Sequence, residues 1–154
     1  MGLIDKRLAE LGIALPTPAK PIANYVPWVR TGNLVYISGQ GAVRDGKIEH
    51  AGKVGDTVSI EDAIASARLT AINIIAHLRD ACGGDLDRVK RIVKLLGLVN
   101  CTPSFGDHPK VINGASDLMV EVFGDKGRHA RSAVGAPSLP FGLSVEVEAI
   151  AEIA

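Results

Sequence analysis

At 154 residues, with 47% hydrophobic and 22% charged side chains, the chain has the size and balance of one folded domain and none of the marks of disorder. Lys plus Arg and Asp plus Glu both number 17, so the formal charge is zero, without the basic excess that phosphate contacts ask of a nucleic-acid-binding domain. Two cysteines, Cys82 and Cys101, exclude a disulfide framework.

Residues Met1–Arg7 carry no basic segment followed by an apolar core, and every later apolar run is broken by charge far short of a membrane span. The expectation is a cytoplasmic protein with no membrane contact. Leu3, Ile4, Leu8 and Leu11 recur at helical spacing, which predicts a short amphipathic helix ending near Gly12. Pro16, Pro18 and Pro21 then forbid regular helix and predict an extended connector. Tyr25 to Arg30 and Leu34 to Ser38 read as two strands about the turn-rich Thr31-Gly32-Asn33. Asp45-Gly46, between Gly41–Arg44 and Lys47–Glu49, is the strongest short hairpin signal in the chain.

Ser59 followed by Asp62 forms a shortened capping box, and Ile64, Ala67, Ala71, Ile74, Ile75 and Leu78 continue it as an apolar helical stripe that Gly83-Gly84 stops. Val89 to Asn100 has a length open to helix or strand; its β-branching and its place after a helix favour a long strand. Asp107 and Pro109 open a second helix to about Phe123. Inside it, Asn113-Gly114 has the local chemistry of a turn, which predicts a late or irregular start. Val145, Val147, Ala149 and Ala151 alternate with Glu146, Glu148 and Ile150, a half-buried strand with carboxylates on one face. The order, strands and amphipathic helices after an N-terminal helix, predicts an α+β sandwich.

Standard catalytic signatures are absent: there is no P-loop, no Gly-x-Ser-x-Gly, no Gly-x-Gly-x-x-Gly and no His-Glu-x-x-His. His50, His77, His108 and His129 lack metal-ligand spacing, so no metal is expected, and both cysteines read as buried structural thiols.

The most informative segment is Arg131-Ser132-Ala133-Val134, then Leu139-Pro140, then Val145-Glu146-Val147-Glu148-Ala149-Ile150-Ala151. With Tyr25 upstream of Val35-Tyr36-Ile37-Ser38-Gly39-Gln40, and with Asn73 and Asp85-Leu86 in the right order between them, the chain resembles the RidA/YjgF family of reactive intermediate deaminases. The resemblance spans about residues 20 to 154. It divides the chain into a helical extension and connector, 1–20, and a RidA/YjgF-like domain, 21–154.

The resemblance implies a chorismate-mutase-like α+β fold with two helices packed on one sheet face, a homotrimer, and small-molecule pockets at the subunit interfaces. It implies hydrolysis of 2-enamine and 2-imino acids to 2-keto acids and ammonia, without metal or cofactor. Carried over by position, Arg131 binds the substrate carboxylate, Gly39 and Ala133 offer backbone groups, Ser38 and Asn113 line the pocket, and Tyr25 and Glu146 orient or activate water. Ala133 stands where many members have Cys or Thr, and Ala23-Asn24 replaces the usual Gly-Pro; both mark a divergent branch.

Each residue also has a plainer reading. Arg131 alone is an ion-pair residue, Glu146 a solvated carboxylate, Tyr25 a strand-start aromatic and Asn113 a helix cap. Two other functions follow from such readings: a regulatory module that binds keto acids without turnover, and an endoribonuclease. Zero net charge and the lack of a His pair placed for phosphodiester cleavage weigh against the second.

Overall fold

The computed structural model describes residues 1–18, 20 and 23–154; the end of the proline-rich connector, with Pro21, lies outside the described residues. Helix α1 (Leu3–Glu10) ends at Gly12, whose φ of 70° is the left-handed conformation glycine takes at helix ends. Its N-cap, Gly2, has no side chain to satisfy the first amides. The Asp87 carboxylate takes that role instead, accepting from the N–H groups of Leu3 and Ile4 at 2.9 Å each. The bonds from Ile4 and Leu3 hold the Asp87 carboxyl below its ordinary value. Leu8, buried on the inner side of α1, joins the same core cluster as the rest of the chain.

Strand β1 (Trp28–Thr31) starts directly after Pro27, and turns into β2 (Leu34–Gly41). Tyr25 therefore precedes the strand rather than opening it. Val43–Arg44 (β3) and Lys47–Ile48 (β4) form the expected small hairpin, with Asp45 and Gly46 both at positive φ as a two-residue turn requires. Helix α2 (Ile60–Ala81) is capped by Ser59, whose Oγ accepts from the Asp62 N–H at 3.1 Å. Strand β5 (Val89–Asn100), helix α3 (His108–Phe123), β6 (Ala130–Ala136) and β7 (Val145–Ile153) complete the chain.

The five long strands form one sheet in the order β1-β2-β7-β5-β6, with β5 and β6 parallel and the other pairs antiparallel. Helices α2 and α3 cover one face. Val35, Leu95, Val99, Val147 and Ala151 point into that layer and are fully buried, against Ile74, Ile75, Ile112 and Leu118. The opposite face is open: Val29, Tyr36 and Val134 are each about half exposed.

Helix α3 is where local chemistry misleads. α3 runs unbroken from His108 through Asn113-Gly114, so its start is neither late nor irregular. Gly114 is buried at the crossing with α2, where a methyl group would strike the Ile64 carbonyl oxygen. The glycine is there for close helix approach, not for a turn.

Candidate functional site

Alternation along each strand assigns the predicted residues to faces. On β6, Arg131 and Ala133 pair with Leu95 and Gly97 of β5, whose side faces α3. On β7, Glu146 pairs with Leu98 and with Gly41, on the open face. Glu146 and Glu148 share that face, as the alternation of the sequence predicts.

Arg131 is half-buried on the edge strand β6. Its Nη1 donates to Asn113 Oδ1 at 2.8 Å and to Ser116 Oγ at 3.1 Å, both from α3. Asn113 is thus a mid-helix residue one turn before Ser116, and the helix is capped elsewhere, at Asp107. Both partners of the guanidinium are neutral, and Arg131 enters no ion pair among the described residues. Its charge is uncommitted, and the planar fork suits a carboxylate with two parallel hydrogen bonds.

Behind Ser116 stands His129. Its Nδ1 lies 2.6 Å from the Gly127 carbonyl oxygen, which only accepts, so Nδ1 carries the proton. In the neutral ring Nε2 is then bare and accepts from the Ser116 hydroxyl at 2.9 Å. The Ser116 oxygen keeps its lone pairs for Arg131. Backbone, His129, Ser116 and Arg131 form one directed chain. Sequence reasoning missed Ser116 and His129; the signal was there in Asn113 and Ser116, three apart and hence on one helix face.

The second group gathers around Glu146. A β-bulge between Ile37 and Gln40 puts Ser38 and Gly39 opposite a single β7 position. A methyl group at Gly39 would lie 3.1 Å from the Glu146 carboxyl carbon, close enough that the Glu146 side chain would have to shift by a few tenths of an ångström, so glycine lets the carboxylate lie tight against this backbone. Burial, then the neighbouring Glu148 charge, push the Glu146 carboxyl above its ordinary value. The Ser38 hydroxyl donates to the Val26 carbonyl at 2.7 Å, and its N–H to Pro27 at 2.9 Å, pinning the segment that carries Tyr25. Tyr25 itself is 53% exposed.

One chain therefore unites Arg131, Asn113 and Ala133 on the helix side of the β6 edge, and Ser38, Gly39 and Glu146 on the open side. Arg131 and Glu146 lie on opposite faces, two strands apart across the sheet (roughly 10 Å) and three residues apart along it (roughly another 10 Å). A cavity of about 400 Å³ on the open face is lined by Tyr36, Ser38, Lys94, Leu96 and Glu148, and reaches neither of them. Among the described residues no group of His, Cys, Asp and Glu is arranged to hold a metal ion, and no helix is long and apolar enough to cross a membrane.

A family model described as "YjgF/chorismate_mutase-like, putative endoribonuclease" matches residues 5–153. The chain belongs to the YjgF family. Protein TCP17 of Trypanosoma cruzi is 44% identical over 153 residues, 99% of this chain and 95% of that one. Atu1372 of Agrobacterium tumefaciens, a protein of unknown function, superposes with a TM-score of 0.92 at 48% identity, over 98% of this chain and 92% of that one. TdcF of E. coli, solved with bound serine, shares the fold at 24% identity and a TM-score of 0.65, over 90% of this chain and 94% of its own. The α+β architecture of a central sheet with its helices is that of the YjgF family, as the sequence motifs imply.

The relay behind Arg131 makes a prediction. Ser116→Ala removes the hydrogen bond between the guanidinium and this neutral hydroxyl and, where Arg131 anchors a keto acid, should weaken its binding by about 0.5–1.5 kcal/mol, roughly two- to tenfold. Titration calorimetry with pyruvate measures this. An unchanged affinity would show that Asn113 alone aims Arg131.

Proposed function

We propose that this YjgF-family chain hydrolyses 2-enamine and 2-imino acids to 2-keto acids and ammonia, as a cytoplasmic homotrimer whose sites lie between subunits and use no metal or cofactor. The observation that carries the reading is Arg131: a half-buried guanidinium fixed by two neutral groups, with its charge left for an incoming carboxylate. Arg131 anchors the substrate carboxylate, Asn113 and the backbone at Ala133 and Gly39 line the pocket, and Tyr25 and Ser38 shape its mouth. The bound serine of TdcF is a ligand of the same class, a small molecule with an α-carboxylate.

Glu146 activates the water. A carboxyl pushed upward by burial takes a proton more readily than an exposed glutamate, which suits it to accept one from water as the water attacks the imine carbon. The carbinolamine then collapses to the ketone, and the proton leaves with ammonia. Arg131 and Glu146 of one chain lie on opposite sheet faces, so the reading has them meet across an interface. The free β6 edge of one copy and the open face of another are the surfaces left to do this.

The test is release of ammonia and pyruvate from 2-aminoacrylate generated in situ. Acceleration by the wild-type protein supports the reading. Saturable keto-acid binding without acceleration would replace it with the regulatory module.

Glu146→Gln separates activity from stability. Turnover should fall by about a hundredfold or more, the usual weight of a general base. Stability should move the other way. The folded state holds the Glu146 proton more tightly than the unfolded chain, so the stabilisation from that proton is complete below the unfolded value, near 4, and is lost as pH rises through the elevated folded value. Gln cannot ionise, so the variant should melt slightly higher than wild type at neutral pH, by no more than a few degrees, and equally near pH 3.5. A lower melting point at neutral pH would mean that the ionised carboxylate has a stabilising partner.

A further inference from the structure

Cys101 and His108 lie outside the site just described and meet beside Gly135, toward the C-terminal end of β6. Cys101 follows β5, and His108 is the first residue of α3. The Cys101 Sγ is 3.4 Å from His108 Nε2. Phe105 holds the imidazole edge-on, with ring centroids 5.3 Å apart and planes at 85°. A side chain at Gly135 would collide with both the sulfur and the imidazole nitrogen, so strand β6 is bare where the pair approaches it.

The pair faces a cavity of about 560 Å³ whose other walls are mostly apolar: Pro103, Phe105, Ala136 and Pro137. Lys53 lines it too. Its ammonium is tied to Asn100 Oδ1 at 3.1 Å and to the Pro137 carbonyl, which fixes a positive charge beside the sulfur's own residue. Cys82 is the contrast within the same chain. Both thiols are buried, Cys101 at 7% exposed and Cys82 at 1%, but Cys82 lines none of the cavities described above, and burial pushes its thiol up. A thiol that only fills space has no need of a base, a cation and an open cavity.

We propose that this cavity is a second site, at which Cys101 captures small α,β-unsaturated carbonyl compounds. The thiol is a soft nucleophile, the walls suit an apolar electrophile, and the Lys53 charge favours negative charge on its oxygen. In the step, His108 Nε2 takes the thiol proton and the sulfur bonds to the β-carbon. The carbon–carbon π pair shifts to the enolate, and the proton returns from His108 to the α-carbon. The product is a thioether; every atom is retained and no oxidant or reductant enters. Arg131 lies four residues before Gly135 on β6, roughly 13 Å away, and lines no part of this cavity.

N-ethylmaleimide on the whole native protein at neutral pH tests the proposal, with intact mass and peptide mapping as readouts. The expected result is a single adduct on Cys101, with Cys82 untouched, forming about tenfold or more faster than the adduct of glutathione. His108→Gln, at an unchanged melting point, should lose most of that advantage, again about tenfold. Labelling of Cys101 no faster than glutathione overturns the site, and that comparison needs no variant. A folded His108→Gln protein that labels at the wild-type rate overturns the role of the imidazole, and with it the proposal.

Discussion

Replacing Arg131 with alanine is expected to weaken pyruvate binding by about 1.5–3 kcal/mol, roughly ten- to hundredfold, and to reduce the proposed deaminase turnover at low substrate at least as much. The magnitude follows from what is removed. A guanidinium with neutral partners brings an unneutralised charge and free N–H groups to the ligand, and hydrogen bonds to charged groups sit at the strong end of the range. Arg131→Lys should recover only part of the loss, since the ammonium keeps the charge but not the fork. The fold should barely notice either change. The side chain is half-buried on an edge strand and enters no ion pair among the described residues, so the melting point should shift by a few degrees at most. Calorimetric affinity beside a melting curve decides the matter. Wild-type affinity in folded Arg131→Ala would remove the carboxylate anchor, and the proposed reaction with it.

How much of this was legible in the chain depends on the range of the interaction concerned. The Asp45-Gly46 hairpin, the Ser59 cap and the Gly83-Gly84 stop were readable because each is decided within a few residues. The alternation of β7 gave the shared face of Glu146 and Glu148 in the same way. The motif around Arg131 named the family, and it marked Asn113 as a candidate pocket residue without showing that its side chain accepts from Arg131. What could not be read is what lies between elements. Gly114 mimics a turn locally and is a helix-packing residue only because α2 crosses there. Ser116 and His129 are joined by a bond between a helix and a loop. That Arg131 and Glu146 face opposite ways needs the strand order β7-β5-β6 as well as the parity of each strand.

The same helix crossing sets the largest expected effect on stability. Gly114→Ala should lower stability by about 2 kcal/mol or more, a fall of roughly 5 °C or more in melting point. Two effects compete. Alanine is the better helix former by about 0.5–1 kcal/mol, which would favour the variant at an exposed position. Here the added methyl meets the backbone carbonyl of Ile64 in α2, with the Ala67 methyl 3.2 Å away. A side chain can rotate aside, but a helix carbonyl cannot, so relief requires α3 to move off α2 and loosen a fully buried layer. The collision therefore wins. Gly106→Ala is the matched control: no atom lies within 4 Å of its added methyl, and its φ is ordinary, so it should melt within a degree or two of wild type. A Gly114→Ala protein as stable as Gly106→Ala would mean that the helices separate at little cost. The effect should also reach the site. Asn113 and Ser116 flank Gly114 on α3 and hold Arg131, so displacing the helix pulls both away from the guanidinium. Weaker pyruvate binding should accompany the lower melting point, although the substituted residue touches neither Arg131 nor the ligand.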